Sequence, residues 1–284
     1  MARDFFTLIK PEVTSLVVAA TFIGFWAGSP GPIDGLLLAV VLLGTTLVAG
    51  GTAALNMVIE READARMHRT AGRPVASGRM SPRVAGAYGL ALGIGGVAIL
   101  AAGANLLTAG VAFATMASYL LIYTPLKSRT WLCTLVGAFP GAAPPLIGWA
   151  AVTGRLPVEA WVMFAILFLW QFPHFLAIAW MYRQDYARGG IVMLPAVDPE
   201  GRATFRQIVF FTMALVPATL VPFWLRVQGP VYLYGAATLG VAFLVCGIWA
   251  ARGRTTQGAR FLLHASVAYL PLLYALVMLD RRAL

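Results

Sequence analysis

The sequence predicts an all-α fold, a polytopic membrane helical bundle of about nine transmembrane helices. Three observations carry this reading. Hydrophobic residues make up 60% of the 284 and charged residues only 11%, where a soluble domain carries about 25% charged residues. Apolar stretches of about 20 residues recur from end to end, each long enough to cross a bilayer as a helix. The strand alternation of a membrane barrel is absent, which leaves helices as the way to satisfy a backbone in lipid.

Taken in order, the first span (13–28) follows an arm bearing Arg3 and Lys10. It has no A-x-A cleavage site, so it reads as a retained helix and not as a signal peptide. The second (36–58) runs straight into NMVIEREADARMHRT (56–70). The third and fourth cover 84–103 and 105–123. The fifth (132–152) contains FPGAAPPLIGW with Pro140, Pro144 and Pro145, and the sixth (159–181) contains Pro173. Proline removes a helical hydrogen bond, so both spans are expected to be interrupted, through kinked packing or as a cavity wall. The seventh (207–225), eighth (230–251) and ninth (261–279) complete the set, with Pro217, Pro222 and Pro271 inside them. Cys133 and Cys246 lie in apolar spans, which fits core packing better than a disulfide or a metal site. No linker interrupts the chain, so residues 1–284 read as one domain.

The net charge of +10 is better explained by topology than by nucleic-acid binding. With the N-terminus in the cytoplasm, the cytoplasmic segments hold 17 of the 21 Lys and Arg, and only Arg155, Arg226, Arg281 and Arg282 fall on the other side. That is the positive-inside pattern. Two loops on the cytoplasmic face are long, 59–83 and 182–206. They lie four spans apart, as a faint four-helix repeat about the membrane normal would place them.

The first loop gathers acids in a chain that has only 11. On a helix, Asn56, Glu60 and Asp64 share one face, while Glu62 points elsewhere and stands four residues before Arg66. One reading is a solvated juxtamembrane helix with ordinary ion pairs. The other is an oxygen-ligand site for Mg²⁺, which takes few carboxylates and completes its shell with waters and phosphates. Charge beside a membrane interior is costly and usually functional. Arg69 and Arg73 follow, and YTPLKSRT (123–130) adds Tyr123, Lys127 and Arg129 on the same side. Lys127 is one of only two lysines. Arginine forks suit phosphate.

The second loop has the lone acid Asp185 flanked by Arg183 and Arg188, with Asp198 further on. Trp170, Gln171 and His174 precede it. A histidine in an apolar span is either a hydrogen-bonded core residue or a ligand. The aromatics around it, with Tyr182 and Tyr186, are either an interfacial belt or the wall of a cavity.

These stretches resemble the UbiA superfamily of intramembrane prenyltransferases, and within it most of all the protohaem IX farnesyltransferase branch. The family signature N-x-x-x-D-x-x-x-D followed by R-x-x-R-P stands here as Asn56, Glu60 and Asp64, then RTAGRP with Arg69, Arg73 and Pro74. YTPLKSRT, FPGAAPPLIGWAAVTG and LFLWQFPHFLAIAWMYRQDYARGGIVMLP match the branch. Departures are Glu60 in place of the commoner Asp, Met57 where related quinone-type enzymes have Asp, and a single acid in the second loop. The resemblance implies an active site at the cytoplasmic side that transfers farnesyl from farnesyl diphosphate to a vinyl group of haem b. It implies Mg²⁺ held by Asn56, Glu60, Asp64 and Asp185, and a diphosphate held by Arg69, Arg73, Lys127, Arg129 and Arg183. It implies a haem and prenyl pocket including Tyr123, Trp170, Gln171, His174, Tyr182 and Tyr186. The setting implied is a bacterial inner membrane, with a haem A synthase as a partner to consider. Prenylation of another aromatic or tetrapyrrole acceptor stays as an alternative, as does an anion transporter with a basic cytoplasmic vestibule.

Overall fold

The flanking residues fix where each helix begins and ends. The computed structural model describes residues 2–29 and 31–281, and all nine expected spans are helical in it. They are α1 (Pro11–Gly28), α2 (Gly35–Ile59), α3 (Pro82–Gly103), α4 (Leu106–Leu126), α5 (Cys133–Thr153), α6 (Val158–Met181), α7 (Arg202–Trp224), α8 (Pro230–Gly253) and α9 (Thr256–Leu279). Asp34 caps α2 by accepting from the amides of Leu36 and Leu37, both at 3.0 Å. Ser81 caps α3, Asn105 caps α4 and Thr255 caps α9 in the same way, each satisfying an amide that a helix N-terminus leaves open. Gly201 enters α7 at φ 73, so α7 starts at 202 and not at 207. The Thr255 cap likewise starts α9 at 256 instead of 261.

Of the two spans expected to be interrupted, α5 and α6, only one is. α5 consists of Cys133–Ala142 and Pro144–Thr153, with Ala143 between them. α6 runs unbroken through Pro173, contrary to expectation; a membrane helix can absorb one missing hydrogen bond where neighbouring groups compensate. α4 carries an irregularity of its own, a π-helical turn at Tyr119–Tyr123 just before Pro125 in its last residues Thr124–Leu126.

The chain packs as two compact units, Met1–Leu156 with Gln184–Val192, and Pro157–Arg183 with Met193–Leu284. In the first, small residues let helices meet closely, as in membranes generally. α1 and α5 cross where a Cβ on Gly148 would collide with the backbone of Thr21 and Phe25. A short helix, Ala2–Leu8, precedes α1. Its Leu8 is fully buried against Ala54, Met57, Val75, Met80 and Ala85, which brings the following Lys10 to the end of α2. In the second unit, Phe172 stacks on Phe211 at 3.7 Å and Phe243 on Tyr269 at 5.0 Å. Tyr232 donates its hydroxyl hydrogen to the Thr219 carbonyl at 2.7 Å. Large apolar side chains such as Leu106, Trp224 and Leu279 are left exposed, as lipid-facing residues are.

Candidate active site

The helix that carries the acids breaks and yet keeps its phase. α2 ends at Ile59, and a second helix, Arg61–Arg66, begins after Glu60. Across the junction, the Glu60 amide donates to the Asn56 carbonyl at 2.9 Å and the Asp64 amide to the Glu60 carbonyl at 2.8 Å. This four-residue spacing keeps Asn56, Glu60 and Asp64 on one face, as the sequence predicted. All three turn inward: Asn56 and Asp64 are 1% and 0% exposed, and the Glu60 side chain is 10% exposed. The Glu62 side chain is 81% exposed and pairs with Arg61 at 2.9 Å, not with Arg66. Arg66 instead donates to the Gly189 carbonyl at 3.1 Å.

Each buried acid has its own cation. Arg73 Nη1 reaches both oxygens of Asp64 at 2.7 Å. Lys127 Nζ sits 2.7 Å from Glu60 Oε1 and lies over the Tyr123 ring at 4.5 Å and the Tyr119 ring at 5.8 Å. The π-helical turn places these two rings edge to face at 5.0 Å, an example of π-bulges falling at functional sites. Lys10 Nζ donates to Asn56 Oδ1 at 2.8 Å, and Asn56 Nδ2 donates to Thr124 Oγ1 at 3.3 Å. Lys10 adopts φ 46, a left-handed conformation rare for a non-glycine residue and common where function holds strain.

The electrostatics follow from this packing. Burial, with the charges of Arg73 and Lys127, brings the Lys10 ammonium down to about 7. Burial pushes the Glu60 carboxyl up, but the charge and hydrogen bond of Lys127, aided by Lys10, outweigh it and hold Glu60 below its ordinary value. Burial opposes the Lys127 charge, and Tyr123, Tyr119 and Glu60 beside it still hold Lys127 well above the ordinary lysine value.

The second long loop meets the first through Asp185. Its Oδ1 accepts from the His68 amide at 2.8 Å and from Arg188 Nη2 at 2.7 Å, and its Oδ2 accepts from the Arg69 amide at 3.1 Å. Burial raises the Asp185 carboxyl, but these hydrogen bonds take it down to about 2. Arg69 Nη2 donates to the Tyr186 hydroxyl at 3.2 Å. Asp185 was expected as a metal ligand together with Asn56, Glu60 and Asp64; its oxygens here accept from residues 68, 69 and 188, and among the described residues no group of three His, Cys, Asp or Glu suited to a metal ion forms.

Arg129 stays exposed and outside the cluster. In the second unit, Arg183 donates to the Trp180 carbonyl at 2.8 Å and stacks over that ring at 4.4 Å. Gln171 is buried and donates to the Leu167 carbonyl at 3.2 Å, while Tyr182 is exposed. His174 meets Ser266 at 2.8 Å. Sequence reasoning missed Lys10, Tyr119 and Thr124 as members of the cluster. One signal was available for Lys10: the chain has two lysines among its 21 basic residues, and both lie here.

The sequence matches the UbiA prenyltransferase family over residues 17–270. The "Protoheme IX farnesyltransferase" of Solibacter usitatus is 53% identical, over 99% of this chain and 100% of its own length. Other relatives down to 40% identity carry the same name. Among solved structures, one of a digeranylgeranylglyceryl phosphate synthase superposes with a TM-score of 0.82 at 16% identity, covering 98% of both chains. A UbiA homologue from Archaeoglobus fulgidus bound to DMAPP and Mg²⁺ gives 0.68 at 13% identity, covering 97% of this chain and 99% of its own.

Proposed function

The chain belongs to the UbiA prenyltransferase family, and from that premise we propose that it transfers a farnesyl group from farnesyl diphosphate to the vinyl group of haem b, giving haem O. The observation that carries the reading is the buried ladder of Asn56, Glu60 and Asp64, matched one for one by Lys10, Lys127 and Arg73. The family membership and the names of the relatives argue against the anion transporter.

Two carboxylates and an amide, buried and stacked on one face, suit Mg²⁺, which leaves coordination positions for phosphate oxygens. Asn56, Glu60 and Asp64 would hold it, and it would supply positive charge to the departing diphosphate. Lys127 and Arg73 now neutralise Glu60 and Asp64, and Lys10 hydrogen-bonds the Asn56 amide oxygen. With the ligands engaged, the same cations face the diphosphate and stabilise the charge that grows on it as the allylic C–O bond breaks. Tyr119 and Tyr123 flank Lys127 and present aromatic faces suited to an allyl cation. Asp185 acts as a positioning residue, fixing the loop that carries Arg69 and Arg73. The basic bias of the loops supports a cytoplasmic N-terminus and a cytoplasmic site in a bacterial inner membrane.

The test is purified protein in nanodiscs with farnesyl diphosphate, Mg²⁺ and either haem b or 4-hydroxybenzoate. Prenylated haem and unmodified benzoate are expected, and chelation of the metal should stop turnover. Prenylated benzoate with unmodified haem would overturn the choice of acceptor and leave the family intact.

A further inference from the structure

A cluster in the second unit has no part in the diphosphate chemistry. On α9, the Ser266 hydroxyl donates to the Leu263 carbonyl at 2.6 Å. That carbonyl can only accept, so the single hydroxyl hydrogen is committed to it. Ser266 Oγ must therefore accept from His174 Nδ1, 2.8 Å away. The imidazole hydrogen lies on Nδ1, and Nε2 keeps its lone pair. Trp170, one turn earlier on α6, stacks on the imidazole at 4.7 Å and 24° and donates its indole N–H to the Ser266 carbonyl at 3.0 Å. Phe175 packs against the imidazole edge to face at 5.3 Å.

Ser266 and Trp170 are 0% and 8% exposed, whereas His174 is only half-buried. The ring is thus held in place, orientation and tautomer through Nδ1 and one face. Nε2 makes no hydrogen bond among the described residues. Nε2 is therefore the ring's open donor atom on a half-buried side chain within an apolar span. This is what a metal-binding imidazole looks like, with one ring N–H anchored by an outer group and the other nitrogen presented to the metal.

Resting on the haem acceptor proposed above, we propose that His174 Nε2 is an axial ligand to the iron of the acceptor haem, with Ser266 as the positioning residue that fixes its tautomer. The bond is dative, from the Nε2 lone pair to iron, so no proton or electron changes hands. Ligation through the iron leaves the porphyrin edge, where the vinyl groups lie, unobstructed. His174 stands seven residues before the end of α6 at Met181, about 10 Å along the helix at 1.5 Å per residue. That depth suits a lipophilic macrocycle.

The experiment is titration of the full-length protein in nanodiscs with ferric haem b, read by Soret absorbance and electron paramagnetic resonance. The wild type should give an imidazole-ligated spectrum. His174→Ala should lose it, and added imidazole should restore it. Ser266→Ala should weaken haem binding about tenfold or more, while Ser266→Thr, which keeps the hydroxyl, should stay close to wild type. If His174→Ala does not fold, ¹⁵N-histidine labelling of a His68→Gln, His264→Gln protein, in which His174 is the one histidine left, decides the matter through the presence or absence of nitrogen coupling to the iron. Bound haem with the same spectrum in wild type and His174→Ala, or no coupling from labelled histidine, would overturn the ligation and leave the acceptor standing. A wild type that binds no haem would overturn both.

Discussion

Asp185→Asn probes the join between the two long loops. The carboxylate accepts three hydrogen bonds, from the amides of His68 and Arg69 and from Arg188. Asparagine keeps one oxygen, and its NH₂ group must then point at one of these donors. Hydrogen bonds to a charged acceptor contribute about 1.5–3 kcal/mol each, and an unpaired buried amide costs a similar amount. Losing one bond and the charge should weaken loop docking by about 2–3 kcal/mol, roughly 30- to 140-fold in an equilibrium constant. Arg69 and Arg73 ride on that loop, so the dissociation constant for a non-hydrolysable farnesyl thiodiphosphate should rise by up to that factor in isothermal titration. The Mg²⁺ concentration for half-maximal activity should not change, because the ligands proposed for the metal are elsewhere. A raised Mg²⁺ requirement, or unchanged diphosphate affinity, would refute the clamp and return Asp185 to the metal.

The remaining tests are shorter. Glu60→Gln and Asp64→Asn should abolish turnover, whereas Glu62→Gln should cost less than about tenfold, since its exposed ion pair contributes less than about 1 kcal/mol; equal losses at 60 and 62 would defeat the helical-phase argument. Lys127→Met removes the main partner of the buried Glu60 carboxylate and should destabilise the fold by up to about 3–5 kcal/mol. Adding Glu60→Gln should recover the melting temperature without recovering activity. The Asp185 carboxyl is lowered from 3.8 to about 2, so its contribution is fully present above pH 3.8 and lost as pH falls through about 2. The melting-temperature gap between wild type and Asp185→Asn should therefore be constant from neutral pH to pH 3.8 and shrink below it. Gly148→Ala drives a methyl group into the α1 backbone and should lower stability by about 1–3 kcal/mol, with the loss seen as a reduced melting temperature.

Spans were legible because hydropathy is a local property, and nine apolar runs became nine helices. The face shared by Asn56, Glu60 and Asp64 was legible too, since the bonds from 60 to 56 and from 64 to 60 preserve the spacing across a break that the sequence did not announce. Partners distant in sequence were not legible. Arg66 stood ready for Glu62 by helical spacing, yet it goes to the carbonyl of Gly189. Asp185 was assigned as a ligand through the family resemblance; besides its neighbour Arg188, its partners are backbone amides more than 100 residues away, at 68 and 69, which the sequence does not show. Lys10 was counted as one more topological charge. Only the packing of Leu8 beneath α2 carries it to Asn56.

The central claim is that this site prenylates haem through its buried acids. Mass spectrometry of haem extracted from cells expressing the wild-type chain tests it most directly, with Asp64→Asn as the comparison. The account predicts a haem heavier than haem b by one farnesyl group and one hydroxyl group in wild-type cells, and haem b alone with Asp64→Asn. Unmodified haem from cells holding folded wild-type protein would contradict it, as would prenylated haem from the variant.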